Sequence, residues 1–328
     1  MKFLLAPIAW IYGFVVWLRN LLYDDHILHS TQVSIPTICV GNLAVGGTGK
    51  TPMAEYLISL LSSDYKVALL SRGYGRKTKG FRIANEHDTA QTIGDEPMQI
   101  HTHFPDIPVA VCADRVKGVK RLQQLYPDLQ CVILDDAYQH RKLRCGFYVL
   151  LTPYDCLYTN DHLLPWGRLR DLPNQSHRAN VVVVTKCPSQ MQPIDRRIVS
   201  NALHLASYQH LVYSSIGYAP IALNGTPLLV TGIANPLPLL EHLKAQCPDT
   251  ELLAFPDHHV FTKHDIAQIM HKAEQYSCVV TTEKDYMRLL QTPLVEQLGN
   301  KLQVLAIQTD LGIDKEAFDR QILLYVSE

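Results

Sequence analysis

The stretch AVGGTGKTP, residues 44–52, has the residue types and spacing of a phosphate-binding loop. It fits [AG]-x-x-x-x-G-K-[ST], with Ala44 at the first position and Gly49, Lys50 and Thr51 at the end. Gly46, Gly47 and Gly49 admit backbone conformations closed to other residues, so the amides from Gly46 through Thr48 and Gly49 to Lys50 can converge on phosphate oxygens. In this pattern Lys50 neutralises the β- and γ-phosphates and the Thr51 hydroxyl ligates Mg²⁺.

Further candidates fall where apolar runs end. CVILDDAYQH closes a buried run with Asp135 and Asp136, the position at which a P-loop enzyme keeps the acid that holds Mg²⁺ directly or through water, and His140 follows them. GDEP, residues 94–97, offers Asp95 either as an ordinary helix N-cap or as a general base. The HTH at 101–103 brings two imidazoles without a nearby third metal ligand. FPDHHVF sets Asp257, His258 and His259 together, as an acid/base pair or as metal ligands. Arg72 and Arg76 in SRGYGRK, and Arg168 and Arg170 in LLPWGRLRD, could face an anion or be solvated. TTEKD at 281–285 has the wrong order for the N-K-x-D base reader of GTPases, so nothing supports a preference for GTP.

These residues need strands to carry them. TICV, KVALL, IPVAVC, CVILDD, FYVLLT and NVVVVTK are continuous apolar runs alternating with helical stretches, which predicts an α/β fold: a P-loop NTPase-like, mostly parallel sheet with helices on both faces. Pro52 suits the first turn of a helix running through MAEYLISLL. PLLVTGI, LLAF, CVVTT and LQVLAI predict a smaller C-terminal α/β domain. The expected organisation is an N-terminal helix over 1–23, a core domain over 24–208, an extended connection over 209–227 and the smaller domain over 228–328.

At 328 residues the chain has room for two ordinary domains, and 30 Lys+Arg against 31 Asp+Glu leave no overall charge that would recruit nucleic acid. Nothing in the composition points to an obligatory protein partner. The eight cysteines are scattered and form no C-x-x-C, which reads as buried, reduced thiols. FLLAPIAWIYGFVVWL, residues 3–18, carries no charge; as a helix it spans about 24 Å, short of the roughly 30 Å hydrocarbon core. Trp10, Phe14, Trp17 and Leu21 share one helical face, as expected of an anchor lying in a membrane interface; a terminal helix packed on the protein's own core is the alternative.

VGNLAVGGTGKTP, SRGYGR, GDEP, DDAYQH, LLPWGRLRD, FPDHHVF and TTEKD, in this order, resemble the tetraacyldisaccharide 4'-kinase family of bacteria with an outer membrane. The resemblance implies transfer of the ATP γ-phosphate, with Mg²⁺, to the 4'-hydroxyl of an acylated glucosamine disaccharide 1-phosphate, a lipid substrate met at the cytoplasmic face of the inner membrane. It also implies roles: Asp95 as catalytic base with His258 as its dyad partner, Lys50 and Thr51 on phosphate and metal, Asp135 and Asp136 completing the metal shell, and Arg170 stabilising the transferring charge. Tyr74, Arg115, His140 and Asp171 are placed near lipid or nucleotide by motif position alone. The chain departs from the family's usual DDGFQH at Ala137 and Tyr138, and from its LPAGPLRE at Trp166, Arg168 and Asp171.

Overall fold

The apolar runs of the first two hundred residues align side by side in one sheet. The computed structural model describes residues 5–221, 223, 225–257, 259–290 and 292–327. The strands of the large sheet are β1 (Thr37–Asn42), β2 (Val67–Ser71), β3 (Arg82–Ile83), β4 (Val109–Val111), β5 (Cys131–Asp135), β6 (Phe147–Pro153), β7 (Val181–Cys187) and β8 (His210–Tyr218). A ninth, β13 (Ile307–Asp310), returns from the C-terminus, giving the order β13-β8-β7-β6-β1-β5-β2-β4-β3. Pairing is parallel except at the two edges, where β13 and β3 run antiparallel to their neighbours. Nearly every residue of β1, β2, β5, β6 and β7 is buried, which is why these strands read as continuous apolar runs rather than alternating ones.

Helices cover both faces. On one lie α2 (Lys50–Leu61), whose Met53, Ala54, Leu57, Ile58 and Leu61 are inaccessible to solvent, and Ile100 of α3 (Asp95–His103). On the other lie Val119 and Leu122 of α4 (Arg115–Leu125).

A four-stranded parallel sheet, β9 (Pro227–Thr231), β10 (Glu251–Ala254), β11 (Cys278–Thr282) and β12 (Leu302–Leu305), in the order β10-β9-β11-β12, contains the four runs expected to make a smaller unit. Two segments differ from expectation. Residues 210–218 do not merely connect: they form β8, which pairs with β7 and covers what would be an exposed edge of valines. Residues 307–327 leave the small sheet. β13 joins β8, and α6 (Lys315–Ser327) lays Phe318, Ile322 and Val326 into the core beneath α2. Tyr325 fixes this return, its hydroxyl bonding to the backbone of Thr37 on the P-loop strand.

α1 (Ala6–Asp24) turns a stripe of Ala9, Gly13, Val16, Asn20 and Tyr23 inward and leaves Trp10, Ile11, Phe14, Val15 and Trp17 exposed. One face of the helix thus packs on the protein, and the opposite face presents apolar side chains outward. Among the described residues, no helix is long and apolar enough to cross a membrane. All eight cysteines are free thiols, six of them buried.

Candidate active site

The carboxyl ends of β1, β2, β5 and β7 point at one locus, which is where an open parallel sheet binds ligands. β1 runs into the loop 43–49 and then α2, whose first residue is Lys50, so the glycine loop opens onto a helix N-terminus as a phosphate cradle requires. Gly46 and Gly49 take φ of 107° and 86°, in the left-handed region that side chains resist. The loop is braced from two sides: Asn42 donates to the Thr48 hydroxyl at 2.7 Å, and the Thr185 hydroxyl at the end of β7 donates to the Thr48 carbonyl at 3.0 Å. Thr51 is buried in the first turn of α2, and Lys50 Nζ lies 3.9 Å from Asp136 Oδ1.

Asp135 and Asp136 end β5 beside this loop. Asp136 takes φ 48°, a conformation Asp tolerates better than most residues, and the chain turns out of the sheet there. Gly41 permits the approach of this turn, since a Cβ at that position would lie 2.5 Å from Tyr138 Cβ. The two carboxyls differ electrically. Burial, then Glu96 and Asp136, push Asp135 up to about 7. Burial also opposes ionisation of Asp136, but the Arg170 guanidinium and Lys50 outweigh it and hold that group at about 2.

Asp135 Oδ2 accepts from the Ser71 hydroxyl at 3.2 Å, whereas Oδ1 is buried and accepts no hydrogen bond among the described residues. A buried, unbonded carboxylate oxygen followed by a second carboxylate at the same strand end offers hard oxygen donors, and these fit Mg²⁺.

Arg170 is brought in by the P-loop itself. Val45 and Arg170 exchange backbone hydrogen bonds with Arg168 and Leu43, so residues 168–170 run antiparallel to the start of the loop. The Arg170 guanidinium then donates to both oxygens of Asp136 and to Asn42 Oδ1. α1 supports the same segment: the Tyr12 hydroxyl donates to the Arg170 carbonyl at 2.9 Å, and Asn20 donates to Asp171 at 2.8 Å.

Asp95 is not a cap. Gly94 occupies the cap position of α3, with φ 99° and no side-chain capping bond, and the Asp95 carboxylate instead faces the small sheet. There Arg288 of α5 (Glu283–Leu289) donates from Nε and Nη2 to Asp95 Oδ2 at 2.8 and 2.6 Å. Alongside, Lys284 Nζ lies 2.9 Å from Glu96 Oε1; burial works against the Glu96 charge, and Lys284 and Lys50 together hold its carboxyl below the usual range.

The remaining expected residues are spread around this core. Tyr74 is 76% exposed on the loop after β2. Arg115, only 2% exposed, lies under the β5 turn and donates to the carbonyls of Cys112, Asp135 and Asp136. His140 accepts from the Arg115 amide, and burial and the Arg115 charge push its imidazole down to about 4, so it is neutral at physiological pH. Asp171 is wholly buried, held by Asn20 and 3.9 Å from Arg178, so the structure encloses Arg115 and Asp171 in protein.

His258 lies outside the described residues. Its neighbour His259 has a structural partner, Asp265 at 2.9 Å, which also caps the following helix through Thr262. That contact accounts for one imidazole of the DHH triplet without a metal. TTEKD is likewise no base reader: Asp285 is buried against Thr231, Thr282 and the Gly232 amide. Asn42, Ser71, Glu96, Lys284 and Arg288 were not singled out in the sequence. Asn42, Ser71, Glu96 and Lys284 stand inside quoted motifs, and that adjacency is their signal; Arg288 lies three residues beyond TTEKD.

A glycine loop between a buried parallel strand and a helix, with two aspartates at a neighbouring strand end, defines a P-loop NTPase-like protein. The chain belongs to the tetraacyldisaccharide-1-P 4'-kinase family, whose profile matches residues 1–327. It is 43% identical to the tetraacyldisaccharide 4'-kinase of Bacteroides thetaiotaomicron, over 99% of this chain and 93% of that one. The corresponding figures for the Flavobacterium johnsoniae protein of the same name are 44%, 99% and 97%. The fold is that of the crystal structure of LpxK from Aquifex aeolicus in complex with ATP, with TM-score 0.76 and 24% identity over 99% of each chain.

Proposed function

We propose that the protein transfers the γ-phosphate of ATP to the 4'-hydroxyl of a tetraacylated glucosamine disaccharide 1-phosphate in lipid A assembly. The observation that carries this reading is the full-length family match lying over an intact P-loop and its acidic strand end. The backbone of Gly46, Gly47, Thr48 and Gly49 cradles the phosphates, and Lys50 neutralises them. Thr51, Asp135 and Asp136 would hold Mg²⁺, which when bound spreads the charge of the transferring phosphoryl group. Asp95 accepts the proton of the 4'-hydroxyl as that oxygen bonds to the γ-phosphorus and ADP leaves. His258 supports it by its place in the FPDHHVF motif.

Arg170 stabilises charge on the phosphoryl oxygens. Tyr74 contacts lipid or nucleotide from its exposed loop, while Arg115, His140 and Asp171 act by holding the Asp136 turn and the Arg170 segment. The core over 24–208 carries the phosphate site, and the unit containing β9–β12 closes over it to exclude water.

We assign the exposed face of α1 to the membrane interface at the cytoplasmic side of the inner membrane. Tryptophans and phenylalanine on an unspanning helix favour that position, and Tyr12 ties the same helix to the backbone of Arg170. The helix assigned to the interface is in this way hydrogen-bonded to the segment that runs along the P-loop.

The test is transfer of labelled γ-phosphate from ATP to a tetraacyldisaccharide 1-phosphate in mixed micelles, comparing the native chain with Asp95→Ala and with a deletion of residues 1–23. Labelled lipid from the native chain and on the order of 10²-fold less from Asp95→Ala is expected. ATP hydrolysis with no labelled lipid would overturn the assignment.

A further inference from the structure

We propose that Arg288 is a positioning residue for the phosphoryl transfer, holding the Asp95 carboxylate in place from the small sheet. The proposal rests on Asp95 being the base. It also gives the TTEKD motif a purpose that nucleotide recognition does not.

The geometry is a carboxylate–guanidinium–carboxylate chain running from one sheet to the other. Asp285 anchors it. Its Oδ2 accepts from the hydroxyls of Thr231 and Thr282, each at 2.8 Å, and from the Gly232 amide at 2.9 Å. Its Oδ1 accepts from Arg288 Nη1 at 3.0 Å, and the same nitrogen reaches the Gly232 carbonyl at 3.3 Å. One edge of the guanidinium is thereby fixed to β9 and to the start of α5. The other edge, Nε and Nη2, converges on a single oxygen of Asp95.

Asp285 is inaccessible to solvent and the Arg288 side chain is only 7% exposed, so the chain is not a loose surface pair that salt would screen away. A planar guanidinium with a locked edge presents its remaining donors in a fixed direction, which a flexible ammonium does not.

The consequence is positional. Asp95 is the first residue of α3, where backbone alone leaves its side-chain rotamer open; Arg288 selects the rotamer. Because Arg288 belongs to the small unit, that selection depends on how the unit packs on α3. Lys284–Glu96 and His103–Glu283 repeat the same α3-to-α5 contact on either side, so the base is aligned only when the two sheets are docked.

The experiment is a double-mutant cycle in the micelle assay: the native chain, Arg288→Gln, Asp95→Asn and the double variant, with Arg288→Lys as the conservative variant and thermal melts as the check on folding. Expected are a loss in kcat on the order of 10²-fold for Arg288→Gln with KM for ATP within about twofold, and recovery of part of that loss in Arg288→Lys. In the Asp95→Asn background, Arg288→Gln should cost less than about twofold further, because the group it positions is already disabled. Losses that multiply in the double variant, a kcat unchanged in a folded Arg288→Gln, or a loss confined to KM and melting temperature would each overturn the proposal. If Arg288→Gln does not fold, the cycle run with Arg288→Lys decides: multiplying losses, or none in the single variant, overturn it. A fully active Asp95→Asn would overturn the base reading instead, whatever Arg288 does.

Discussion

Arg170 grips both carboxylate oxygens of Asp136 although 34 residues separate them in the chain. The pair joins the segment that runs along the P-loop to the acidic end of β5, and together with Lys50 it keeps Asp136 ionised, while burial makes its neighbour Asp135 resist ionisation.

Arg170→Ala should lower kcat on the order of 10²-fold, and Arg170→Lys should recover little of it, because an ammonium cannot reproduce two parallel donors to a carboxylate or phosphate. Steady-state kinetics with ATP and lipid check this. Native-like kcat in the lysine variant would remove the bidentate argument.

His103 links three helices. Its Nε2 lies 2.8 Å from Glu283 of α5 and its Nδ1 3.0 Å from Glu55 of α2, and these two hydrogen bonds, Glu283 first, raise the imidazole to about 10. These three residues are close enough to hold a metal ion. Both ring nitrogens already face carboxylates, however, and the imidazolium is itself the bridging cation. A raised folded-state value stabilises the fold fully below the ordinary histidine value of about 6.5, and the contribution falls away as pH climbs through 10. The melting-temperature gap between the native chain and His103→Gln should therefore be widest in mildly acidic buffer and close by about pH 10. A gap that is constant across that range would refute the assignment.

Replacing Trp10, Phe14 and Trp17 together by serine should abolish co-sedimentation with anionic phospholipid vesicles and leave the melting temperature unchanged, since all three are exposed. Each buried aromatic is worth about 1.5–3 kcal/mol of apolar transfer, enough for more than tenfold in partitioning per residue at the middle of that range. Gly13→Leu should do the opposite, disturbing the fold, because a Cβ there already meets Leu163 at 2.8 Å. Equal vesicle binding by the triple variant would exclude α1 as the anchor.

Gly41→Ala should cost about 1–3 kcal/mol of stability, the range for overpacking a tight core. The added methyl would sit 2.5 Å from Tyr138 Cβ, and Tyr138 cannot move freely because its hydroxyl donates to the Gln175 carbonyl at 2.7 Å. Urea unfolding measures the loss, and a change under about 0.5 kcal/mol would show that the turn yields.

The sequence by itself determined what is local. A phosphate cradle is a run of backbone amides, so AVGGTGKTP displays it within nine residues. Buried parallel strands are continuous apolar runs, so the sheet and the acidic end of β5 were visible before any pairing was known. GDEP and TTEKD were visible too, but not their meaning. Asp95 and Arg288 are separated by 193 residues, as are Lys284 and Glu96 by 188, and only the packing of α5 on α3 chooses those partners. Likewise β8 joins the large sheet because an edge of valines needs a neighbour, and β13 pairs in turn with β8, a demand that arises only once the sheet exists. Backbone chemistry is written in consecutive residues. The pairing of charged side chains is settled by which distant surfaces come into contact, and tertiary structure alone decides that.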